Sequence, residues 1–378
     1  MSDHRIPRAE QVGSLKRSRQ LIAANEAVYA PGHVAVEQTE RDRGMEELYA
    51  IAEEDTRRAV QRQIDIGMDV VTDGEFRRFM FLNSLFDGIT GFSSEVSKAR
   101  FRAGDGSVVE WNMQYVVDEL KQVDSPAARE ARFMSSLTDH LYKVTFPAGS
   151  FLALPYNYNP KINGHAYGSH RELVEAAVAI EKRMIAECVA AGCRYVQLDF
   201  PVYPFLCDPD WKARMDKHGF DSNETLELAL WADNEVVAGL PAHVRKSMHV
   251  CRGNNQGRYV AEGALDPAAE ALFSLPYDSF LIEWENRDRM GDFSALRFLP
   301  EGDSVVVLGL ISSKLATLES EEALLAQLGE ASEHVPPERL ALSPQCGFAS
   351  TLKGNPVTED DQWRKLELVV STARRFWG

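Results

Sequence analysis

Long apolar runs, basic clusters and paired cysteines are all scarce in this sequence. No stretch approaches the roughly 18 consecutive apolar residues of a membrane-spanning helix, and the polar start lacks the apolar core of a signal peptide. The formal net charge is -16, and no Lys/Arg run is present that would bind nucleic acid. The five cysteines are odd in number and sparse, which is typical of a reducing compartment. We therefore expect a cytoplasmic protein that binds neither membranes nor nucleic acids.

The 378 residues alternate between short apolar runs and stretches of helical periodicity. This alternation indicates parallel strands joined by crossover helices, and an α/β barrel of this length commonly forms one domain. We predict a (β/α)8 TIM barrel over residues 1–378, with an insertion at about 92–126, where helical periodicity is lacking. About nine candidate strands compete for the eight barrel positions, so one of them is wrong or lies outside the barrel. The candidates are 12–14, 68–75, 107–115, 143–146, 194–198, 247–251, 279–282, 304–310 and 340–342.

Polar side chains follow these candidate strands at their carboxyl ends, where a barrel builds its active site. His249 and Cys251 are two residues apart on one strand, so both side chains could reach one ion. Glu283 follows the next strand, and Cys346 follows the last one at a spacing far outside that of zinc fingers. These residue types suit zinc. On spacing alone, the alternative that each is a packed core residue stays open.

Several motifs along the chain resemble those of one enzyme family. They are Val12-Gly13-Ser14-Leu15, Val71-Thr72-Asp73-Gly74-Glu75-Phe76-Arg77-Arg78, Tyr195-Val196-Gln197-Leu198-Asp199, Met248-His249-Val250-Cys251-Arg252-Gly253-Asn254, Gly291-Asp292-Phe293 and Leu342-Ser343-Pro344-Gln345-Cys346-Gly347-Phe348-Ala349-Ser350. The last of these is highly specific. In these motifs the chain resembles the catalytic domain of cobalamin-independent methionine synthase, especially the short single-barrel members of that family. The resemblance covers nearly the whole sequence.

The resemblance implies a (β/α)8 barrel, of the kind that uroporphyrinogen decarboxylase also has, and a Zn2+ ion held by one His, two Cys and one Glu. By motif these ligands fall on His249, Cys251, Cys346 and Glu283, with Glu285 as the fallback for the Glu. It also implies that a substrate thiol joins the ion. On chemical grounds, zinc turns a coordinated thiol into a thiolate nucleophile, which favours alkyl transfer over hydrolysis.

In the family the thiol is homocysteine, whose ammonium needs carboxylate partners and whose carboxylate needs a hydroxyl or backbone donor. Glu75 and Asp199 resemble the carboxylates, as catalytic and substrate-binding residues, and Ser14 resembles the hydroxyl. Arg77 and Arg78 are candidates to meet an anionic substrate group such as a carboxylate or sulfonate. The structural alternatives are a strand-end cap for Asp199 and a surface salt bridge for Glu75.

The leading hypothesis is therefore a zinc-dependent thiol alkyltransferase that transfers a methyl group to homocysteine, similar to 5-methyltetrahydropteroyltriglutamate-homocysteine S-methyltransferase. The chain departs from the long synthases at Phe200, where the family has a second acidic residue, and at Ser312, where it has a His. One alternative resembles the epoxyalkane:coenzyme M transferases, in which a zinc-bound thiolate opens an epoxide. Another is a non-catalytic barrel that binds a metal or a thiol. The alkyl donor stays open among a folate, a methylcobamide and an epoxide, and so does the oligomeric state, a homo-oligomer included.

Overall fold

The computed structural model describes residues 6–29, 45–93, 97–102, 105–284 and 286–378. Its strands, in chain order, are β1 (Ile89–Phe92), β2 (Ser97–Arg102), β3 (Val108–Met113), β4 (Val116–Gln122), β5 (Val144–Pro147), β6 (Tyr195–Asp199), β7 (Arg245–Val250), β8 (Ser279–Glu283), β9 (Val305–Ile311) and β10 (Leu340–Pro344). The α-helices are Arg19–Val28, Met45–Ile66, Asn83–Phe86, Pro126–Leu137, His170–Ala190, Tyr203–Cys207, Pro209–Lys217, Ser222–Val237, Asp266–Phe273, Arg287–Met290, Glu321–Ala331 and Glu359–Trp377. Short 3-10 helices span Gly149–Ala153, Pro155–Asn157, Phe293–Phe298 and Pro337–Arg339.

Strands β5 to β10 form one parallel sheet in which spatial order follows chain order. Two further segments extend this sheet at its two ends: Ala9 bridges Leu342 of β10, and Val71 bridges Tyr142 just before β5. The N–H of Asp69 donates to the carbonyl of Ala9 at 3.1 Å and so links the two segments. The six strands and two segments fill the eight positions of a (β/α)8 barrel, which confirms the predicted fold class.

Two antiparallel pairs, β1 with β4 and β2 with β3, lie outside the parallel sheet and overlap the segment at about 92–126. Candidate strand 107–115 corresponds to β3, so it is the candidate that does not belong to the barrel. Arg102 on β2 forms a bridge with Tyr259, and its guanidinium contacts Asp208 at 3.5 Å and Asp210 at 3.1 Å. These contacts fix the β2–β3 hairpin to the loops at the carboxyl end of the barrel.

The barrel strands are almost wholly buried, and every residue of β6, β8, β9 and β10 lies in the interior. Burial on both faces explains why these strands appear in the sequence as continuous apolar runs. The polar residues that interrupt the runs lie at the carboxyl ends, where the loops begin. Within the described residues, no helix has both the length and the apolarity needed to cross a membrane.

Candidate active site

His249, Cys251 and Cys346 lie together at the carboxyl end of the barrel. One ligand atom from each lies within 4.8 Å of the others, and all three side chains are buried. The sulfurs of Cys251 and Cys346 are 3.6 Å apart. Two sulfurs bound tetrahedrally to Zn2+ at about 2.3 Å would be about 3.8 Å apart. Both the donor set and the sulfur spacing therefore fit a zinc ion.

The imidazole of His249 is held in one tautomer by the neighbouring strand. Its Nδ1 lies 3.2 Å from the carbonyl oxygen of Leu281 on β8. A carbonyl oxygen only accepts hydrogen bonds, so Nδ1 carries the proton and Nε2 has the lone pair. Nε2 is buried and has no hydrogen-bond partner in the protein. A buried nitrogen lone pair beside two cysteine sulfurs is a group that metal binding would satisfy.

The two cysteine sulfurs have opposite proton affinities. The hydrogen bond from Cys251 holds the pKa of Cys346 well below its usual range, against the opposing effect of burial. The same contact with Cys346, together with burial, raises the pKa of Cys251 well above its usual range. The N–H of Gly253 donates to the Cys251 sulfur at 3.2 Å. The contact between the two sulfurs therefore favours the thiolate form at Cys346 over Cys251, and the thiolate is the form of cysteine that binds metals.

Glu283, the predicted fourth ligand, lies at the end of β8 but outside the group of three. One carboxylate oxygen forms an ion pair with Nζ of Lys314, and the other accepts the N–H of Arg252 at 3.1 Å. Both Glu283 and Lys314 are buried. The fallback candidate, Glu285, lies outside the described residues. Lys314 was not among the residues that the sequence predicted for this site.

A small chamber lies between the cysteine sulfurs and the predicted thiol-binding residues Ser14, Glu75 and Asp199. Its free volume is about 30 Å³, which holds one or two water molecules. The structure thus brings the three metal-ligand candidates and these three polar residues to one cavity. The chamber is lined by Val12, Ser14, Glu75, Phe81, Phe101, Asp199, Phe200, His249, Cys251, Gly253, Asn254, Cys346, Gly347 and Ser350.

A buried hydrogen-bond network positions Glu75 at the chamber wall. The hydroxyl of Thr145 donates to Oε1 of Glu75 at 2.8 Å, and Nη1 of Arg78 donates to that hydroxyl at 2.8 Å. The guanidinium of Arg78 is in turn held by both oxygens of Glu130, at 2.9 and 2.5 Å. Oε2 of Glu75 is buried without a hydrogen-bond partner. The network fixes one oxygen of Glu75 and leaves the other without a hydrogen bond.

Asp199 and Ser14 complete the polar wall. Burial raises the pKa of Asp199 to about 7. One oxygen of Asp199 accepts a hydrogen bond from Nε2 of Gln197 at 2.7 Å. A Cβ atom added to Gly347 would lie 2.0 Å from the hydroxyl oxygen of Ser14. Glycine at this position lets Ser14 lie directly against the loop that carries the second cysteine.

The structure does not bring Arg77 or Arg78 to the chamber. Arg78 faces Glu130, while Arg77 pairs with Glu53 at 2.6 Å and lies over the ring of Phe133, 4.7 Å from its centroid. Among the described residues that line the chamber, none is an arginine or a lysine. The predicted role of these arginines in holding a substrate anion therefore finds no geometric support in this chamber.

Comparison with known proteins supports a single family. No family model matches the chain. The Bacillus subtilis protein YxjG, which is uncharacterized, is 33% identical, with 98% of this chain and 94% of that protein covered. A Listeria monocytogenes protein assigned as a vitamin-B12-independent methionine synthase has 28% identity, a TM-score of 0.71 and 98% coverage of both chains. The chain belongs to the cobalamin-independent methionine synthase family.

More distant relatives agree with this membership. The methionine synthase of Sulfurisphaera tokodaii is 24% identical, with 75% of this chain and 71% of that protein covered. A B12-independent methionine synthase from Shewanella, solved in complex with selenomethionine, shares the fold with a TM-score of 0.70 at 18% identity and 98% coverage of both chains. The family resemblance inferred from the sequence motifs is confirmed.

Two residues of the chamber in this family member have a strained backbone. Among the described residues other than glycine, positive φ angles occur at Glu75 (58°), Phe200 (63°) and Gln256 (53°). A bulky side chain in this conformation is rare, and such strain is concentrated at functional sites. Glu75 and Phe200 both line the chamber, on loops that follow different barrel positions.

A larger cleft adjoins the chamber and shares Phe101 and Phe200 with it. Its volume is about 570 Å³, and aromatic side chains form much of its wall. The ring centroids of Phe205 and Trp211 are 4.9 Å apart in an edge-to-face arrangement, and Tyr156 lies 6.0 Å from Trp211. The cleft is therefore lined by further aromatic side chains, in addition to the two phenylalanines that it shares with the chamber.

Proposed function

We propose that this protein is a zinc-dependent S-alkyltransferase whose reaction is methyl transfer to homocysteine, which gives methionine. One observation carries the proposal: the buried group of His249, Cys251 and Cys346 opens on the same chamber as two carboxylates. Sulfur ligands favour alkyl transfer, and the carboxylates supply partners for an amino group. Membership in the methionine synthase family supports the same reaction.

His249, Cys251 and Cys346 would hold the metal. Zinc, when bound, lowers the pKa of a thiol that joins it and so supplies a thiolate nucleophile at neutral pH. The chain contributes burial, because these three side chains are 6% exposed or less. Exclusion of water leaves the nucleophile poorly solvated and protects the alkyl donor from hydrolysis.

The remaining chamber residues match the amino-acid end of homocysteine. Oε2 of Glu75, which is buried without a partner, would accept a hydrogen bond from the ammonium, and Asp199 would be a second acceptor. An adjacent ammonium favours the ionised form of Asp199, whose pKa lies near 7 in its absence. The hydroxyl of Ser14 is the donor for the substrate carboxylate. These roles orient the thiol toward the sulfurs.

The aromatic cleft is the route that we propose for the methyl donor. It meets the chamber at Phe101 and Phe200, so a donor seated there would face the thiol across these two rings. Aromatic walls suit a planar donor such as a folate. A methylcobamide and an epoxide remain the alternative donors, and the assay below distinguishes among them.

Coenzyme M fits the chamber less well than homocysteine does. Its sulfonate needs a cationic partner, and the described lining residues include no arginine or lysine. It also lacks the ammonium that Glu75 and Asp199 would bind. A barrel that only binds a metal or a thiol is the third reading, and any measured turnover would exclude it.

The test combines metal analysis with a methyl-transfer assay on the purified full chain. We expect about one zinc per chain and methionine formation from homocysteine with one of 5-methyltetrahydropteroyltriglutamate, its monoglutamate or methylcobalamin. Cys251→Ser and Cys346→Ser should lose zinc and activity, whereas Cys188→Ser, at a buried cysteine away from the chamber, should keep both. Zinc K-edge absorption should show two sulfur ligands, and three with homocysteine.

The zinc-site proposal fails if both serine variants keep a full zinc content. The choice of homocysteine fails if coenzyme M, and not homocysteine, adds the third sulfur. Product formation from coenzyme M and an epoxide would move the assignment to the epoxide-opening reaction.

A further inference from the structure

A buried amide at the chamber wall has an oxygen that the function described so far does not use. Asn254 is 6% exposed and lines the chamber together with Cys251 and Gly253 of the same loop. Gly253 has a φ angle of 91°, a conformation that glycine adopts readily. A Cβ atom at this position would lie 2.6 Å from Cγ1 of Val260. The turn that brings Asn254 to the chamber therefore requires glycine.

The orientation of the Asn254 amide is fixed by the loop that carries the second cysteine. Its Nδ2 donates to the carbonyl oxygen of Gly347 at 2.8 Å and to the hydroxyl oxygen of Ser350 at 3.1 Å. A carbonyl oxygen accepts hydrogen bonds and cannot donate them, so the amide cannot be turned round without losing the contact with Gly347. The two N–H groups of the amide are therefore used within the protein, and its oxygen is not.

Oδ1 of Asn254 is buried and has no hydrogen-bond partner among the described residues. Of the other side-chain oxygens in the described chamber wall, only Oε2 of Glu75 shares this condition. Buried polar atoms of folded proteins almost always have a partner. Two unpaired acceptors in one small chamber therefore indicate a ligand that donates hydrogen bonds.

The distance of Asn254 from the sulfurs suits the amino end of an amino-acid thiol. The hydroxyl oxygen of Ser350, which accepts a hydrogen bond from Asn254, lies 3.9 Å from the sulfur of Cys346. One side chain thus separates the amide from a proposed metal ligand. In homocysteine, three carbon atoms separate the thiol sulfur from the ammonium nitrogen. A thiol held beside Cys346 would therefore bring its ammonium into the part of the chamber that Asn254 lines.

We propose that Asn254 is a further substrate-binding residue, whose Oδ1 accepts a hydrogen bond from the ammonium of the amino-acid thiol. This inference rests on the proposed function, in which Glu75 and Asp199 bind the same ammonium. An ammonium has three N–H donors, and the amide oxygen supplies the third acceptor without adding a negative charge to the chamber. A thiol without an amino group leaves this buried acceptor unpaired and binds more weakly for that reason.

The test compares two thiols within each protein variant. Homocysteine and 4-sulfanylbutanoate have the same thiol, carbon chain and carboxylate, but only homocysteine has an ammonium. Each thiol is titrated into the cobalt(II)-loaded full chain, whose absorption spectrum reports the binding of a further sulfur to the metal. The ratio of the two dissociation constants is the preference for homocysteine. A change in the fold or the metal site that affects both thiols equally leaves this preference unchanged.

In Asn254→Leu we expect the preference for homocysteine to fall by about tenfold to a hundredfold, which corresponds to the loss of one hydrogen bond to a charged group. Asn254→Ala, which adds no bulk, should show the same fall. Asn254→Asp keeps an acceptor oxygen at this position, so its preference should stay within about threefold of the wild type or rise.

Asn355→Leu is the matched control. Nδ2 of Asn355 donates to the same carbonyl of Gly347, at 3.2 Å, and its Oδ1 accepts the N–H of Gly257 at 3.0 Å. Asn355 is buried but does not line the chamber. The variant therefore loses a similar tie between loops while the oxygen of Asn254 stays in place. Its preference for homocysteine should equal that of the wild type.

An unchanged preference in Asn254→Leu and Asn254→Ala would overturn the inference. An equal fall in Asn355→Leu would overturn it too, because the effect would then come from the tie between the loops. A tenfold fall in Asn254→Asp would have the same consequence. Failure of the wild type to bind homocysteine would refute the proposed function itself, whereas wild-type binding with no effect of the Asn254 variants on the preference would refute this inference alone.

Discussion

Replacing Arg78 by methionine should destabilise the protein far more than the same replacement at Arg77. The side chains of Arg78 and Glu130 are 3% and 2% exposed, and the guanidinium contacts both carboxylate oxygens. Removing one partner leaves the other charge buried and unpaired, which costs about 3–5 kcal/mol. Arg78 also donates to the carbonyl of Thr145 at 3.0 Å, a contact that the variant loses too. We therefore expect the free energy of unfolding of Arg78→Met to fall by at least about 3 kcal/mol.

Arg77 is the matched control. Its partner, Glu53, has a side chain that is 38% exposed, so this ion pair contributes at most about 1 kcal/mol. The cation-π contacts of Arg77 with Phe133 and Tyr49 add about 0.5–1 kcal/mol each. Arg77→Met should therefore lose about 1–3 kcal/mol, less than the loss at the neighbouring arginine.

Urea unfolding of the two variants, with unchanged slope, measures the difference directly. A double variant with Arg78→Met and Glu130→Leu should recover more than half of the loss, because no buried charge is then left alone. Equal losses at the two arginines would refute this reasoning about burial. A double variant no more stable than Arg78→Met would refute the role of the unpaired carboxylate.

Two further predictions concern a close contact and a buried acid. Gly347→Ala should lower the free energy of unfolding by about 1–3 kcal/mol and weaken homocysteine binding, because the added Cβ would meet the hydroxyl of Ser14. The control, Gly329→Ala, lies on an open helix surface and should leave the stability unchanged or raise it. Urea unfolding and calorimetric binding compare the two variants. Burial raises the pKa of Asp233 to about 6, so the folded chain binds this proton more tightly than the unfolded chain and loses stability as the pH rises from about 4 to 6. The free energy of unfolding of Asp233→Asn, measured relative to that of the wild type, should therefore rise by about 1 kcal/mol between pH 5 and pH 7. A difference between the two proteins that stays constant over this pH range would contradict the prediction.

The central strands could be predicted because burial on both faces produces continuous apolar runs. The predicted strand at 304–310 corresponds to Val305–Ile311, and the one at 194–198 corresponds to Tyr195–Asp199. The first two barrel positions were less predictable. The strand expected at 12–14 meets β10 through Ala9 instead, and Oδ2 of Asp69 accepts the N–H groups of Arg8 and Ala9 at 2.7 and 2.9 Å. The side chain of Asp69 thus takes the place of backbone hydrogen bonds between the first two barrel segments. The alternation of apolar residues in a sequence does not reveal pairing of this kind.

The residues of the chamber wall could be predicted from motifs at strand ends, but their supports could not. His249, Cys251 and Cys346 meet as expected from their places after barrel strands. Lys314 and Glu130 gave no signal, because a charged residue in a loop or on a helix looks the same in sequence whether it is solvated or paired in the interior. Such pairing depends on which loops the barrel brings together.

Two buried cations near the site contact carboxylates and do not line the chamber. Arg78 reaches Glu75 through the hydroxyl of Thr145, and Lys314 holds Glu283 directly. Each cation holds its carboxylate in place, while the described residues that line the chamber include carboxylates, hydroxyls and sulfurs but no lysine or arginine. Such a wall suits an ammonium and a divalent metal better than a sulfonate, so the arrangement of the supports, as much as the ligands, supports the proposal of an amino-acid thiol as the substrate.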